Sequence, residues 1–488
     1  MDFKRIPVVL KRYSFDAKMH KCQSHSKKLM TLNGIVNADK LRSMALPWDL
    51  ETFALFSTIT LGEYSNADFE DRRGDRQFVE IISALKRYMP PKLEEAMDSN
   101  SNSFLDYIMI VTGLNQFQIQ ENIPYKVFRY SYIFNFINDN VDMNKHFIEK
   151  FGCGFEDFIK FGFSIQLLFS NESINQESLY NFVIERYRHI VETLTIEREK
   201  FNDLQQRITD DITHYIYGFK YFYQFPFISY NQKLYLPLPH LIMHAVTSSL
   251  LFRLTEGNNH LRQLFGKEVL ESYLLHICRF SEHFDEVAPE FSYHHNMNRT
   301  LDIMVRKDSQ CIMLDSKSMS PRVSIRNLSD KDILHTIDRM AEAVKQVYLH
   351  ITQRFRVDYY PFEETVDFKK EDIFGVVILF EDSYVRRDII MSNAADKLGL
   401  MKDSEEYKYL LSNVKVMGLY ELEKMLFVKE DIFRLLSANR DNPSKWFDLS
   451  YMDFEGGAKE VVKEVSDITD IMKDIIIDFA NELVPKSG

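Results

Sequence analysis

The stretch TLDIMVRKDSQCIMLDSKSM, residues 300 to 319, sets Asp302, Asp315 and Lys317 into two apolar runs that read as the strands of a buried hairpin. Charged side chains are rarely fully buried unless they are paired or bind a metal. Side chains alternate across a strand, so Asp315 and Lys317 share one face while Leu314 and Ser316 take the other. The intervening RKDSQ supplies good turn residues in Asp308 and Ser309. Pairing about that turn would bring Asp302 and Asp315 within reach of one cation. Oxygen ligands without His or Cys favour Mg2+ or Mn2+ over Zn2+. Such an ion can hold a water as hydroxide and stabilise charge developing on a phosphate, while a nearby lysine orients or deprotonates that water. The set is suited to metal-assisted hydrolysis of a phosphate ester.

The elements that must hold these residues can be followed along the chain. From about residue 46 to 215 apolar residues recur every three or four positions, as in LPWDLETFALFSTI, and predict a mainly helical domain over residues 1–217. Its many aromatics, as in YKVFRYSYIFNFI, stand at helical spacing and read as core rather than as a base-stacking platform. Residues 218–255 read as an aromatic hairpin turning at Asn231-Gln232-Lys233, with Pro237 and Pro239 leading into a helix. Residues 256–430 then give a helix (LRQLFGKEVLESYLLHICRF), three extended runs (DEVAPEFSY, TLDIMVRK, QCIMLDSKS), a long helix capped by Ser329 or Asp330, and the apolar strand IFGVVILF. NVKVMGLYELEKMLF adds one more strand and helix, and residues 431–488 close on an acidic helix from about 457 to 483.

An acid, then acid-x-lysine, within the order helix, three strands, helix, strand resembles the PD-(D/E)xK nucleases, the restriction-endonuclease-like superfamily. The resemblance covers roughly residues 256 to 385. It implies an α/β (α+β) core, a mixed sheet flanked by helices, behind a large mainly helical N-terminal domain. It further implies that Asp302 and Asp315 bind Mg2+, for which Mn2+ can substitute, and that Lys317 assists the water. Members often carry another acid on the preceding helix in a Gly, then Glu-x-Tyr setting. FGKEVLESYL offers Glu271 as that third metal-shell residue, with Glu268 one turn away as the alternative. The family's Gln or Lys on the following helix corresponds to Gln346 in EAVKQVYLHI, with Lys345 beside it. Two departures are that Leu301, not Pro, precedes Asp302, and that the second acid is Asp rather than Glu. The acid-x-Lys triplet alone carries little, since Asp2/Lys4, Asp16/Lys18, Asp367/Lys369 and Glu406/Lys408 repeat it without the upstream acid and helix.

The activity so implied is that of a Mg2+-dependent DNA endonuclease, a hydrolase acting alone, as a homo-oligomer or as the nuclease subunit of a larger system. By analogy it would serve prokaryotic antiviral defence or restriction. RNase activity on the same core, or an inactive nuclease-like core in a nucleic-acid-binding scaffold, are the alternatives. No Walker A motif and no helicase or methyltransferase signature is present in the 488 residues. Four widely spaced cysteines without CxxC, no apolar run of membrane-spanning length and no signal pattern in MDFKRIPVVLKRYSF predict a cytoplasmic protein with no membrane partner.

The net charge of −12 speaks against a nucleic-acid partner only for the chain as a whole. Residues 1 to 28 hold eight Lys or Arg against Asp2 and Asp16, a run that reads equally as a solvated face or a binding one. His20, Cys22 and His25 in HKCQSH lack a second ligand pair and read as incidental. His283, His294 and His295 are at most supporting residues, and Glu290 reads as a strand-end surface charge before it reads as a supplementary ligand.

Overall fold

Two units divide the chain, Met1–Gly257 with Asp467–Gly488, and Asn258–Ser466. The structure, a computed structural model, describes residues 1–31, 34–35, 45–62, 68–99, 103–117, 122–171, 176–208, 211–214, 216–295, 297–428, 431–444, 465 and 468–483. The division departs from the sequence-based boundaries in two ways. The aromatic hairpin belongs with the helical N-terminal part, and the closing helix, described over Thr469–Leu483, belongs with that same unit. The remainder of the expected acidic helix lies outside the described residues. Among the described residues no helix is long and apolar enough to cross a membrane.

The first unit is helical because its apolar residues repeat with helical period and its caps are local. Helix α1 spans Ile6–Leu10, α2 Phe15–Lys27, α3 Pro47–Ile59, α4 Arg72–Arg87 and α5 Phe155–Ser170. Ser14 caps α2 by accepting from Ala17 N at 3.1 Å. Leu50, Phe53, Ala54, Leu55 and Phe56 make α3 apolar all round, and the unit's core forms about it. The aromatics are core, as their spacing implies: Phe134 packs on Phe147 and on Phe155, each at 4.7 Å. Strands β1 (Thr195–Glu197), β2 (Phe227–Tyr230) and β3 (Lys233–Tyr235) form one small sheet, with β2 and β3 antiparallel about Asn231 and Gln232. Both turn residues have positive φ, 48° and 62°, as a two-residue hairpin turn requires.

One polar line crosses this core. Tyr223 donates to Glu51 at 2.7 Å, His240 Nε2 lies 3.8 Å from the other Glu51 oxygen, and the Ser26 hydroxyl lies 2.7 Å from His240 Nδ1. The residue types are those of a hydrolytic triad, but Ser26 and Glu51 are wholly buried and no substrate can reach them. The line pins α2 to α3 through the Ser26–His240 and Tyr223–Glu51 bonds, while Glu51 Oε1 and His240 Nε2 face each other without a hydrogen bond.

The second unit is built on a mixed sheet. Helix α6 (Glu271–Phe280) precedes β4 (Glu286–Pro289), a short hairpin of β5 (Ser292–Tyr293) and β6 (Asn298–Arg299), β7 (Ile303–Lys307) and β8 (Gln310–Lys317). Helix α7 (Asp330–Leu349), β9 (Ile373–Leu379), α8 (Arg387–Leu398), α9 (Glu405–Asn413), β10 (Val414–Gly418) and α10 (Leu419–Phe427) follow. The sheet order is β10–β9–β8–β7–β4. β7 and β8 pair antiparallel about Asp308, which takes φ 49°, whereas β8, β9 and β10 run parallel. β9 is buried along its whole length, which explains its unbroken apolar run. Ser329 caps α7 by position, but its hydroxyl donates to the Asp332 carboxylate at 3.0 Å rather than closing a backbone cap. The two helices α8 and α9 between β9 and β10 were not anticipated from the pattern.

Gly375 in β9 lets α7 approach the sheet. A Cβ built there comes 2.2 Å from Val347 Cγ1. Gly375→Ala is therefore expected to lower stability by about 1–2 kcal/mol through overpacking. Unchanged thermal melting would show that α7 is free to shift.

Candidate active site

Asp302 does not lie in a strand. The last antiparallel pair of β7 and β8 is Ile303 with Leu314, and Asp302 occupies the bend just before it. Its Oδ2 accepts from Ser316 N at 2.6 Å and from Ser316 Oγ at 2.7 Å, so the carboxylate replaces the ladder partner that β7 no longer supplies. Among the described residues nothing donates to Oδ1. Asp315 is 3% exposed, and Lys317, at the end of β8, places its ammonium 2.6 Å from Asp315 Oδ2. That approach is electrostatic rather than directional, since Oδ2 has no properly angled hydrogen-bond donor. Burial, opposed by the Lys317 charge and reinforced by Asp302 and Glu290, holds the Asp315 carboxyl above the usual carboxylate range.

Two further acids join them. Glu271 opens α6 directly after a π-helical stretch, Phe265–Leu270, that shifts the residues presented by the helix. Gly266 in that stretch packs against Ser318, the residue after Lys317; a Cβ at Gly266 would come 2.6 Å from Ser318 Oγ. Burial lifts Glu271 to about 8, and the charges of Asp302, Glu290 and Glu268 push the same way against Lys267. Glu290 follows β4, is only partly exposed, and is held by Arg299 Nη1 at 2.7 Å. Its carboxyl is also raised, first by burial and then by Asp302 against the Arg299 charge. Asp302 and Glu290 thus act both on Glu271 and on Asp315, the latter beside Lys317.

Glu290 and Ser316 were the residues that sequence reasoning missed or set aside. A polar residue in the middle of Asp-x-Lys was the available signal for Ser316. Nothing local marked Glu290, because its burial arises from the fold.

Gln346 is not brought to this group. It is exposed in the last turn of α7, beside Lys345, which pairs with Glu342 at 3.1 Å. Val347, next to it, faces Gly375, the β9 partner of Met313. Met313 lies roughly 13 Å back along β8 from Lys317 at the usual strand rise. A helix that returns the chain between parallel strands runs away from the site, so its C-terminal turn reaches the opposite end of the sheet. His283 bonds the Leu426 carbonyl at 3.1 Å, and His294 lies 3.4 Å from Asp358; neither touches the four acids. In HKCQSH, Cys22 is buried, His25 packs on Phe78 at 4.2 Å and His20 is exposed.

Among the described residues no three His, Cys, Asp or Glu side chains converge closely enough to form a complete metal cage as they stand. The donor set nevertheless fits a hard cation. Mg2+ is commonly bound by one or two carboxylates, with water and phosphate oxygens completing its shell. The Asp302 carboxylate, whose Oδ1 has no donor among the described residues, and the Asp315 carboxylate, whose Oδ2 lies 2.6 Å from the Lys317 ammonium, are the two carboxylates at hand. Asp302 and Asp315 could hold the ion, with Glu271 or Glu290 supporting its water shell.

Compared with known proteins, the chain matches no family model, no curated protein and no solved structure. The functional reading therefore rests on its own residues.

Proposed function

We propose that the second unit is a Mg2+-dependent phosphodiesterase that cuts DNA, with a core of the PD-(D/E)xK type. The observation that carries this reading is the pairing of buried Asp315 with the partly exposed Lys317 at a strand end, with Asp302 and Glu290 acting on Asp315 and on Glu271 alike. The order α6, β4, β7, β8, α7, β9 supports it. A bound divalent ion would supply charge neutralisation at the scissile phosphate and a more acidic water. Asp302 and Asp315 would bind the ion. Lys317, partly exposed, would orient the attacking water and take up negative charge on the phosphate. Glu271 would release its proton as the cation enters. Gln346 has no part in this scheme.

Cleavage of supercoiled plasmid, linear duplex and single-stranded RNA in Mg2+, Mn2+ or EDTA tests the proposal. Metal-dependent cutting of DNA supports it, cutting of RNA alone corrects the substrate, and no cutting of any polymer by the full chain rejects it.

Ser316 fixes Asp302 through one main-chain and one side-chain donor, so its replacement should weaken the ion's hold without unfolding the protein. Ser316→Ala is expected to lower Mg2+ affinity about tenfold in titration calorimetry, and Ser316→Thr to retain it. Equal affinity in the alanine variant would mean that the backbone N–H alone positions Asp302.

A further inference from the structure

The basic run that opens the chain is used by nothing described above. Phe3 stacks on Tyr88, just past the end of α4, with ring centroids 3.7 Å apart. At the other end, the Tyr13 hydroxyl donates to Gln77 near the start of α4, and its ring stacks on Phe69 at 3.7 Å. Residues 3 to 13 therefore run antiparallel along α4 for about 15 Å, the rise of ten helical residues. Lys4, Arg5, Val8, Lys11 and Arg12 are exposed on the first strip, and Arg72, Arg73, Arg76, Val79, Lys86 and Arg87 on the second. Both strips carry cations at their two ends and an exposed valine between, Val8 at 57% and Val79 at 55%. Arg12 and Arg73 both act on the Tyr13 hydroxyl, so the strips meet at that end.

Fold stability does not account for this face. Of the acids that border it, Asp2 and Asp71 are spent as helix caps, accepting from Lys4 N at 3.1 Å and Gly74 N at 2.5 Å, while Asp211 lies near enough to Lys4 to feel its charge. Arg72 and Arg73 lie in the first turn of α4, where the helix dipole disfavours cations. Ion pairs in the region take Lys21 to Glu70 and Asp75, Arg76 to Glu80, and Lys86 to Asp49. Among the described residues no ion pair engages Lys4, Arg5, Arg12, Arg72 or Arg73.

We infer that the paired strips of residues 4–12 and α4 bind the phosphodiester backbone of a nucleic acid, with phosphates at the cationic ends and sugars against Val8 and Val79. This names a contact surface for the substrate class of the phosphodiesterase reading, on which it rests for its choice of polymer. An anionic membrane would also attract the cations, but a membrane-surface helix needs a broad apolar face. Here the apolar residues of α4, Phe78, Ile81, Ile82 and Leu85, are buried in the core, leaving two valines.

The test is fluorescence anisotropy of the full chain with labelled duplex DNA, single-stranded RNA, and phosphatidylserine vesicles, in EDTA across a salt series. Wild type should bind nucleic acid with log K falling linearly in log salt. Arg12→Gln with Arg73→Gln, and separately Lys4→Gln with Arg5→Gln, should each flatten the slope by about 2 and weaken binding about tenfold near 0.1 M salt. Lys402→Gln with Lys408→Gln, exposed positions in the other unit, should leave both unchanged. Equal slopes in all variants, binding to vesicles alone, or binding to none of the three overturns the inference. Unaltered binding by the strip variants beside Asp315-dependent cutting would reject this surface and leave the phosphodiesterase standing. Strip-dependent binding without cutting would do the reverse.

Discussion

Asp315→Ala and Lys317→Ala are each expected to lower Mg2+-dependent plasmid cleavage about 10³-fold, the scale on which removal of a general base or of a charge-stabilising donor acts. The reason lies in how the two charges are housed. Asp315 is almost wholly buried at the end of β8, and Lys317 is the cation nearest to it. Taking away Lys317 leaves the carboxyl buried without that cation, so its already raised affinity for a proton increases, and the attacking water and the phosphate lose the ammonium that would serve them. Taking away Asp315 leaves Lys317 29% exposed and able to find water, so the fold should tolerate that change better.

A pair that serves only structure makes a different forecast. It predicts a protein destabilised by Lys317→Ala, much less by Asp315→Ala, and fully active in both once folded. Lys317→Arg separates the two roles further. It keeps a cation against Asp315 and should melt like wild type, yet the planar guanidinium is not deprotonated and presents a different donor geometry. Cleavage at the wild-type rate by a folded Lys317→Ala protein would sink the assignment.

Glu271→Gln is expected to stabilise the metal-free protein at pH 8.5 and to do little at pH 4.5. Burial raises the folded-state carboxyl to about 8 from an ordinary value of 4.5. At pH 4.5 Glu271 is protonated in the folded state and half protonated in the unfolded one, and below that it is protonated in both, so it costs the fold little. As pH rises from 4.5 towards 8, the unfolded chain ionises while the folded chain retains its proton, so the native state binds more protons and stability falls. Above about 8 the loss levels off. The shift corresponds to several kcal/mol at 1.4 kcal/mol for each pK unit, and partial exposure brings the expected gain in the amide variant to about 2 kcal/mol.

Mg2+ should reverse the ranking, because the cation replaces the proton as the partner of the carboxylate and stabilises wild type more than the variant. Thermal melts at the two pH values, in EDTA and in Mg2+, measure both effects. A pH-independent difference between Glu271→Gln and wild type would show that the carboxyl is solvated and outside the acid group.

The positions of Asp315 and Lys317 on one face at the end of β8 were legible in the chain because a strand alternates faces and a polar turn fixes where the hairpin folds. The helical first part, the β2–β3 hairpin, α7 and the apolar β9 were legible for the same reason: their periods and breakers are local properties. The remaining features needed contacts between distant residues. Asp302 sits one residue outside the strand because β7 begins only at Ile303 and Ser316 claims the carboxylate. Glu290 looked like a surface charge until β4 set it beside Asp302, and Glu271 acquires its raised pKa only where a π-helical stretch and Gly266 bring α6 against the end of β8. Gln346 failed for the complementary reason: its helix was anticipated, but which end of a returning helix lies at the site is set by the crossover. The closing helix, by sequence an appendage, joins the first unit through Lys160 with Asp474 at 3.2 Å and Arg186 with Asp478 at 2.9 Å. Local pattern records how each segment hides its own apolar side; the free energy that chooses its neighbours comes from burial shared between segments far apart in the chain, and that is absent from any short stretch read alone.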